Sequence, residues 1–389
     1  MVKISMATKR EIIEKHKGRY LKANKKDKGQ ILDEVCNITG LSRNRTLRLL
    51  NGSIKMTNRK IKDGRGRKPI YTEEVKAALR IIWTLMDFAC GKRLAAGMNN
   101  FIDALKRHNE FDFNEDIEHR LRIISPATID RILRPHKDAI YFKGKSTTKP
   151  GTLLKHQIPV RLGNQWDEDK PGFVEIDLVA HCGPTTAGEY VNTLDVTDIC
   201  TGWTETRAVI NKARAHVFDA LMFIEGQAPF NYLGIDSDNG KEFINNHLYS
   251  YCKENDIAFT RTRAHRKNDN CHVEQKNWAV VRRHIGYDRY EGQLAVDLMN
   301  DYYENLRLYL NFFLPQTKII DKTYDGAKVK KHYEKYLTPY QRVLNSDDID
   351  KVTKEELTKV YLTLNPVKLK ADMMEILEEL RKLATPWQR

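Results

Sequence analysis

The sequence lacks the run of about 18 to 20 apolar residues that a transmembrane helix requires, and its N-terminus lacks the apolar core of a secretory signal. We therefore expect a cytoplasmic protein without a membrane partner. Its six cysteines are scattered and form no Cys-x-x-Cys pair, so a disulfide framework is not expected. The length of 389 residues, 41% of them hydrophobic, fits several domains with buried cores.

Positive charge is concentrated at the N-terminus. Residues 1–70 contain 20 Lys and Arg against 6 Asp and Glu, whereas the remaining residues carry 46 of each sign. The whole excess of +14 therefore lies in the first 70 residues. A concentrated basic block is typical of a phosphate-binding surface, and its alternative is a solvated basic face.

Residues 28–51 are typical of a helix-turn-helix, for which an ordinary helical hairpin is the alternative. Gly40 suits the positive φ of the turn, and Ser42 suits the N-cap of the second helix. Leu47 and Leu50 are expected to face the core. The residues left free for bases and phosphates are Arg43, Asn44, Arg45, Thr46 and Arg48.

A basic linker follows and completes a first domain over residues 1–70. Its segment 64–69 is similar to an AT-hook, in which arginines lie in a narrow minor groove. Arg65, Arg67 and Lys68 would then contact DNA. A groove-binding arm and a plain linker are both compatible with this short pattern.

Residues 71–142 are predicted to form a second helical domain of helix-turn-helix type. Ser125 suits an N-cap, and Pro126 suits the first position of the helix after it. A purely structural helix pair is the alternative. The open face of that helix would present Ala127, Thr128, Asp130, Arg131 and Arg134. Residues 143–171 are then expected to be a linker.

Residues 172–312 alternate between strand-like and helical patterns. Three successive strands and then helix, strand, helix, strand and helix predict a mixed α/β sheet with flanking helices, an order that matches the RNase H-like architecture. The predicted strands cover 173–180, 189–197, 203–210, 231–236 and 256–262.

The C-terminal region, residues 313–389, is predicted to be mainly helical. Its basic part, 313–348, gives no clear pattern, and 353–356 resembles a capping box. The helix at 366–384 has an apolar stripe, which packs either on the catalytic domain or on another subunit.

Three carboxylates lie in contexts that suit magnesium ligands. Asp177 lies in the first predicted strand, Asp238 follows a strand immediately before Asn239-Gly240, and Glu274, separated from Asp238 by 35 residues, begins a long helical stretch. Acids on a strand, a strand end and a helix can converge on two Mg²⁺ ions roughly 4 Å apart, which is the arrangement used for phosphoryl transfer on DNA.

Neighbouring residues compete with or extend this assignment. Asp236 is an alternative to Asp238, although the following Asn-Gly favours Asp238. Glu175 alternates onto the same face as Asp177, where a solvated role at a strand edge is the alternative. Lys276 and Arg282 follow Glu274 and are expected to contact DNA phosphates, with Arg283 beside them.

These motifs together resemble the DDE transposase and retroviral-type integrase superfamily, in its bacterial insertion-sequence branch. The matching positions are Asp177, the segment 238–243 and the segment 270–274; Cys271 stands where the family often has Gly. The resemblance implies an RNase H-like catalytic core, two Mg²⁺ ions that Mn²⁺ can replace, and catalysis by Asp177, Asp238 and Glu274. Because the zinc-binding His/Cys module of retroviral integrases has no counterpart in the sequence, no zinc is expected.

The resemblance further implies how such an enzyme acts. It would bind the terminal inverted repeats of its own element, cut at the element ends and transfer the freed 3′-hydroxyl into target DNA. Double-stranded DNA and a homo-oligomer, at least a dimer assembled on DNA, are the expected partners. Alternatives are a catalytically inactive DNA-binding regulator derived from a transposase, and a simple RNase H-like nuclease.

Overall fold

The structure is a computed structural model that describes residues 5–54, 70–137, 170–238, 240–261, 271–325 and 328–387. Within these ranges the structure does not describe the side chains of residues 137, 271, 272, 274, 321, 322, 324, 325, 328 and 329. The chain divides into two compact units, Met1–Ile70 and Tyr71–Arg389, and each is described by itself. The predicted AT-hook residues and most of the predicted linker at 143–171 lie outside the described ranges.

The first unit consists of the helices α1 (Met6–Lys22), α2 (Lys25–Thr39) and α3 (Arg43–Leu50). Gly40 ends α2 with a φ of 65°, as the turn requires, and its N–H donates to the Cys36 carbonyl. Helix α1 has no counterpart among the elements predicted from the sequence. The side chains that form the small core are Ile13, Tyr20, Ile31, Leu32, Val35, Leu49 and Leu50.

The second unit contains the remaining helices. Four precede the sheet: α4 (Glu73–Leu85), α5 (Gly91–Arg107), α6 (Glu115–Arg122) and α7 (Pro126–Lys137). Those within the catalytic region are α8 (Arg214–Gln227), α9 (Asn246–Glu254), α10 (Cys271–Lys276), a π-helical turn (Asn277–Arg282) and α11 (Arg283–Ile285). The last are α12 (Gly292–Phe313), α13 (Pro339–Asn345), α14 (Lys351–Thr363) and α15 (Pro366–Lys382).

Five strands form one sheet in the order β3-β2-β1-β4-β5. They are β1 (Phe173–Ala180), β2 (Asn192–Asp198), β3 (Thr204–Val209), β4 (Gly234–Ser237) and β5 (Ala258–Arg261). The first three form an antiparallel meander, and β4 and β5 run parallel to β1. The mixed α/β core predicted from the sequence is confirmed.

The two faces of this sheet differ in chemistry. Successive side chains of a strand point to opposite faces, so alternate residues lie on the same face of the sheet. One face is apolar and packs on α8 and α9 through Val174, Ile176, Leu194, Val196 and Ile235. The other face contacts α10 and the π-helical turn. Its carboxyl and hydroxyl groups belong to Glu175, Asp177, Asp195, Thr197, Asp236 and Thr260.

A single large hydrophobic cluster joins the helices on either side of the sheet sequence. It contains buried residues of α4–α7 together with α12, α13 and α15. Leu369, Met373 and Leu380 of α15 are buried in it, so the apolar stripe of this helix packs within its own chain. The division of residues 71–389 into three domains and a linker stays a prediction.

Two features of the C-terminal region differ from the expectations. Residues 319–333 form a two-stranded antiparallel ribbon, β6 (Ile319–Asp325) and β7 (Lys328–Tyr333), within the part that gave no clear pattern. The expected capping box at 353–356 is wrong, because Asp350 caps α14 and accepts from the Thr353 N–H. None of the helices in the described part of the chain has the length and apolarity to cross a bilayer.

The shared cluster makes a prediction about stability. Phe101 of α5 is fully buried, and its ring centroid lies 5.6 Å from that of Phe313 on α12. Phe101→Ala should lower the free energy of unfolding by about 3–5 kcal/mol, since it leaves a cavity between the two helices. Denaturant titration followed by circular dichroism measures this loss. Ile81→Ala, at an exposed site on α4, is the control, and an equal effect of both substitutions would contradict the shared core.

Candidate active site

Asp177, within β1, and Asp238, directly after β4, lie side by side on two neighbouring parallel strands. The register of β1 and β4 places Ile176 opposite Ser237, so the next residue of each chain segment is one of the two acids. Neighbouring strands are about 4.8 Å apart. Both carboxylates are half-buried. This arrangement brings together two of the three acids predicted from the sequence.

The chain turns sharply after Asp238. The Asp238 Oδ1 atom accepts the Gly240 N–H at 2.7 Å. A Cβ at position 240 would lie 2.7 Å from the Glu242 carboxyl group and 2.8 Å from the Asp238 Oδ1 atom, so a side chain there would displace these two carboxyl groups. Burial raises the pKa of Asp238 to about 6, partly offset by the Gly240 N–H, and the nearby Glu242 adds to the rise. A bound cation would oppose this destabilisation of the carboxylate.

Helix α10 is fixed across β1 by two hydrogen bonds. The fully buried Glu175 carboxylate accepts the Val273 N–H at 3.1 Å. The Asn277 Nδ2 atom donates to the Asp177 Oδ2 atom at 2.6 Å. Glu274 lies in the chain between these two anchors, but its side chain is outside the described part of the structure. The backbone that carries the third acid thus lies over the strand that carries the first.

A buried charge pair lies beside Asp177. Asp195 is directly opposite Asp177 in the β1–β2 register and is fully buried. Burial raises the pKa of Asp195 well above its ordinary value, and Lys276 opposes the rise. Burial likewise lowers the pKa of the Lys276 ammonium to about 7, which Asp195 opposes. The two groups therefore favour each other's charged form beneath the acids.

Comparison with known proteins identifies the matching region. A family model described as "Integrase core domain" matches residues 167–267, about a quarter of the chain, which includes Asp177 and Asp238 and ends before Glu274. An uncharacterized protein, y4rM, of Sinorhizobium fredii is 36% identical over 342 residues, which cover 87% of this chain and 96% of that protein. The chain belongs to the DDE transposase and integrase superfamily.

A solved structure of the HTLV-2 integrase catalytic core domain in complex with magnesium also matches. It is 13% identical, covers 38% of this chain and 90% of that domain, and has a TM-score of 0.28. Similarity this remote carries no argument about the site. The rhizobial relative, by contrast, matches nearly end to end.

The alternative acids of this superfamily member have internal roles in the structure. Asp236 is fully buried, and its Oδ1 atom accepts the Thr260 hydroxyl at 2.5 Å. Its position beneath the sheet surface favours the more exposed Asp238 as the ligand. The solvated role considered for Glu175 is wrong, since this carboxylate is buried and binds the backbone of α10.

Lys276 and Arg282 do not face outward as expected for phosphate contacts. The Lys276 ammonium donates to the Gly202 carbonyl at 3.2 Å and to the Gln316 Oε1 atom at 2.8 Å. Arg282 donates to the Ala180 carbonyl at 2.8 Å. The physical reason is that α10 and the π-helical turn pack on β1 and β2, so the side of these helices that carries Lys276 and Arg282 meets the sheet rather than solvent. Both predictions need this correction.

The residues predicted to contact DNA through α3 are mostly accessible. Arg43, Asn44, Arg45 and Arg48 are exposed, and Arg43 forms an ion pair with Asp33. The inclusion of Thr46 is wrong, because it is fully buried and its hydroxyl donates to the Ser42 carbonyl at 3.2 Å. The predicted groove-binding residues, which lie outside the described ranges, are Arg65, Arg67 and Lys68.

The outward face of α7 is smaller than predicted. Arg131 and Arg134 are exposed, whereas Thr128 is half-buried and its hydroxyl accepts from Arg131 at 3.1 Å. Asp130 does not belong to an open face, because its Oδ1 atom accepts the Gly91 N–H at the start of α5 at 3.0 Å. One side of this helix therefore packs within the protein, and the other side exposes two arginines.

Sequence reasoning missed the roles of Glu175 and Asp195. A signal existed for both: each is an acid directly flanked by apolar residues in a predicted strand. Acids in such positions are retained only where a partner compensates their burial. The partners, Val273 N–H and Lys276, come from a distant helix, so spacing alone could not name them.

The raised pKa of Asp238 makes a prediction about pH. Because the folded pKa lies above the unfolded value, folding with a charged Asp238 is penalised, and the penalty appears as pH rises from about 4 through about 6. Asp238→Asn should therefore stabilise the metal-free protein increasingly over this window, by up to about 3 kcal/mol at pH 7. Denaturant titrations in EDTA at several pH values measure the difference. Asp219→Asn, on the exposed side of α8, should show no such trend, and a flat profile for Asp238→Asn would refute the prediction.

Proposed function

We propose that this protein is a DNA transposase of integrase type. The observation that supports it most is the position of Asp177 and Asp238 side by side on neighbouring strands, with the helix that carries Glu274 anchored over β1. A DNA-binding regulator needs no such arrangement.

The donor set fits magnesium. Mg²⁺ binds carboxylate oxygens and keeps several waters, and Asp177, Asp238 and Glu274 would hold two ions, with Mn²⁺ able to replace them. When bound, the ions activate the attacking oxygen and stabilise the leaving oxygen at a phosphodiester. The raised pKa of Asp238 supports the fit, since a carboxylate destabilised by burial gains from a cation beside it.

The chain's own residues prepare this site. Asn277 donates to one oxygen of Asp177 and fixes the orientation of its carboxylate, and Glu175 fixes the start of α10. The reaction consists of two phosphoryl transfers. Water first cleaves the phosphodiester at the element end and leaves a 3′-hydroxyl, which then attacks a target phosphodiester and displaces the 3′-oxygen of that strand. No covalent bond to the protein is required.

Recognition of the element ends is assigned to the first unit. It carries the whole net charge of the chain, and α3 follows a tight turn and exposes Arg43, Asn44, Arg45 and Arg48. Such a helix fits the major groove, where Arg and Asn read base edges. Arg131 and Arg134 of α7 offer a second contact. The two element ends must be processed together, so the active form is an oligomer, at least a dimer, on DNA.

The three acids are tested by conservative substitution. Asp177→Asn, Asp238→Asn and Glu274→Gln should each reduce Mg²⁺-dependent cleavage and strand transfer by at least about 10³-fold, because each removes a charged ligand of the reacting centre. Binding of DNA that carries the element ends should be retained. Gel assays of cleavage and joining, with electrophoretic mobility shifts for binding, measure both quantities.

The controls separate the competing functions. Asp219→Asn should remain active, since this acid lies on the outer side of α8. Tight binding of element ends without any nicking by the parent protein in Mg²⁺ or Mn²⁺ would instead establish a DNA-binding regulator. Cleavage without joining would establish a nuclease.

Recognition by α3 makes a separate prediction. Arg45→Ala should weaken binding to the element end by about 1–3 kcal/mol and relax the base preference at one position, as expected for an arginine that reads a base. Fluorescence anisotropy with end duplexes that vary one base pair at a time measures both effects. Lys15→Ala, exposed on α1, should leave the base preference unchanged. Equal preferences in the two variants would assign Arg45 to phosphate contacts only.

A further inference from the structure

Most of the described side chains of the ribbon formed by β6 and β7 are exposed. Among the described residues its strands pair chiefly with each other rather than with the sheet or the helices. Ile319, Ile320 and Tyr333 are 41%, 66% and 53% exposed. A two-stranded ribbon gains little stability by itself, so an uncovered one indicates a surface that meets a partner.

The charge of this ribbon is unusual for its surroundings. Residues 71–389 balance their charges, yet β7 carries three lysines and no acid over six residues. With Lys322, Asp321 and Asp325 of β6, the two strands hold four lysines and two aspartates, a net charge of +2. Lys330 and Lys331 are exposed and, as neighbours in a strand, belong to opposite faces of the ribbon. This exposed excess of lysine favours an anionic partner.

The base of the ribbon is bonded to the catalytic region. Gln316 and Leu337 exchange backbone hydrogen bonds of 2.8 and 3.0 Å, which close the ribbon at its base. The Gln316 side chain accepts from Lys276, the residue before Asn277. At the same base the Lys318 ammonium donates to the Cys200 carbonyl, in the turn between β2 and β3, at 3.0 Å. The ribbon therefore begins beside the residue that orients Asp177.

A second set of bonds makes this base rigid. The buried Arg342 guanidinium donates to the Glu334 carboxylate at 2.6 Å, to the Gln316 carbonyl at 2.8 Å and to the Thr201 carbonyl at 3.0 Å. Glu334 also accepts the Lys318 N–H at 3.1 Å. Glu334 at the base is thus paired with Arg342, whereas Lys330 and Lys331 farther along the ribbon are exposed and accessible to a partner.

We propose that the β6–β7 ribbon is a DNA-binding element that holds the phosphate backbone of the duplex at the active site. Strands of six and seven residues are roughly 20 Å long at about 3.3 Å per residue, comparable to the width of a duplex. The major groove admits a two-stranded ribbon, and lysines on both faces can then reach the phosphates of both strands. This inference rests on the proposed function, because it assigns to the DNA substrate a surface beyond the recognition helices.

The experiment measures the salt dependence of DNA binding by the full chain. Lys330→Glu/Lys331→Glu changes the exposed lysines of β7, and Lys351→Glu/Lys359→Glu makes the same change of charge on the exposed side of α14. The probe is a duplex of random sequence without element ends, titrated in EDTA at several salt concentrations. Each lysine–phosphate contact contributes about one to the slope of log K against log salt.

The ribbon variant should lose about two from the slope relative to the parent, and the α14 variant should keep the parental slope. Lys330→Gln/Lys331→Gln should show the same loss with less change of charge, and circular dichroism should show that all variants fold. Equal slopes for the ribbon and α14 variants would overturn the proposal. So would a ribbon variant that changes only the oligomeric state in sedimentation, because the ribbon would then bind a second copy of the chain.

Failure of the proposed function gives a different result. No chemistry occurs in EDTA, so the slopes report on the ribbon even if the parent never cleaves DNA in Mg²⁺. Conversely, Asp177→Asn should keep the full parental slope while losing cleavage. If no protein, including the parent, cleaves DNA in Mg²⁺ but the salt slope still depends on Lys330 and Lys331, the ribbon is a DNA-binding element and the transposase function is rejected.

Discussion

The hydrogen bond from the Val273 N–H to the Glu175 carboxylate fixes the geometry on which the candidate site depends. A carboxylate buried without a partner would cost several kcal/mol or take up a proton. A backbone N–H in the first turn of a helix is unpaired within the helix and lies at the positive end of its dipole. Each group therefore supplies what the other lacks. The consequence is that α10 starts over β1, and Glu274 follows one residue later.

Asp195 and Lys276 lie in the same buried layer. Burial shifts the pKa of each group toward its neutral form, and the attraction between them opposes both shifts. Lys276 comes from the same helix as Glu274, and its ammonium donates to the Gly202 carbonyl and to Gln316. The lysine is thus retained inside the protein, although its place in the sequence suggested an outward role.

The sequence predicted the sheet well because its signals are local. Alternating patterns gave β1 and β3, the Asn-Gly after Asp238 marked the end of β4, and Gly40 marked the turn between α2 and α3. The errors share another physical origin. Asp130, Lys276 and Arg282 have polar side chains that helical spacing places outward, yet partners distant in the chain hold them inward. Thr46 is buried as well, and its hydroxyl donates to the Ser42 carbonyl one turn earlier. The ribbon escaped prediction because its strands are rich in lysine and lack the alternation of a half-buried strand.

The segment after Glu274 is held from both sides. Lys276 binds Gln316 at the base of the ribbon, and Arg283 donates to the Asp87 carbonyl in the turn between α4 and α5. The π-helical turn lies between these two anchors, and such turns occur mostly where function imposes them. Both anchors are formed in the protein without DNA, so the backbone that carries Glu274 is already placed over β1. Under the proposed function, binding energy from DNA would then orient the phosphodiester rather than assemble the site, which is the more effective use of binding in catalysis.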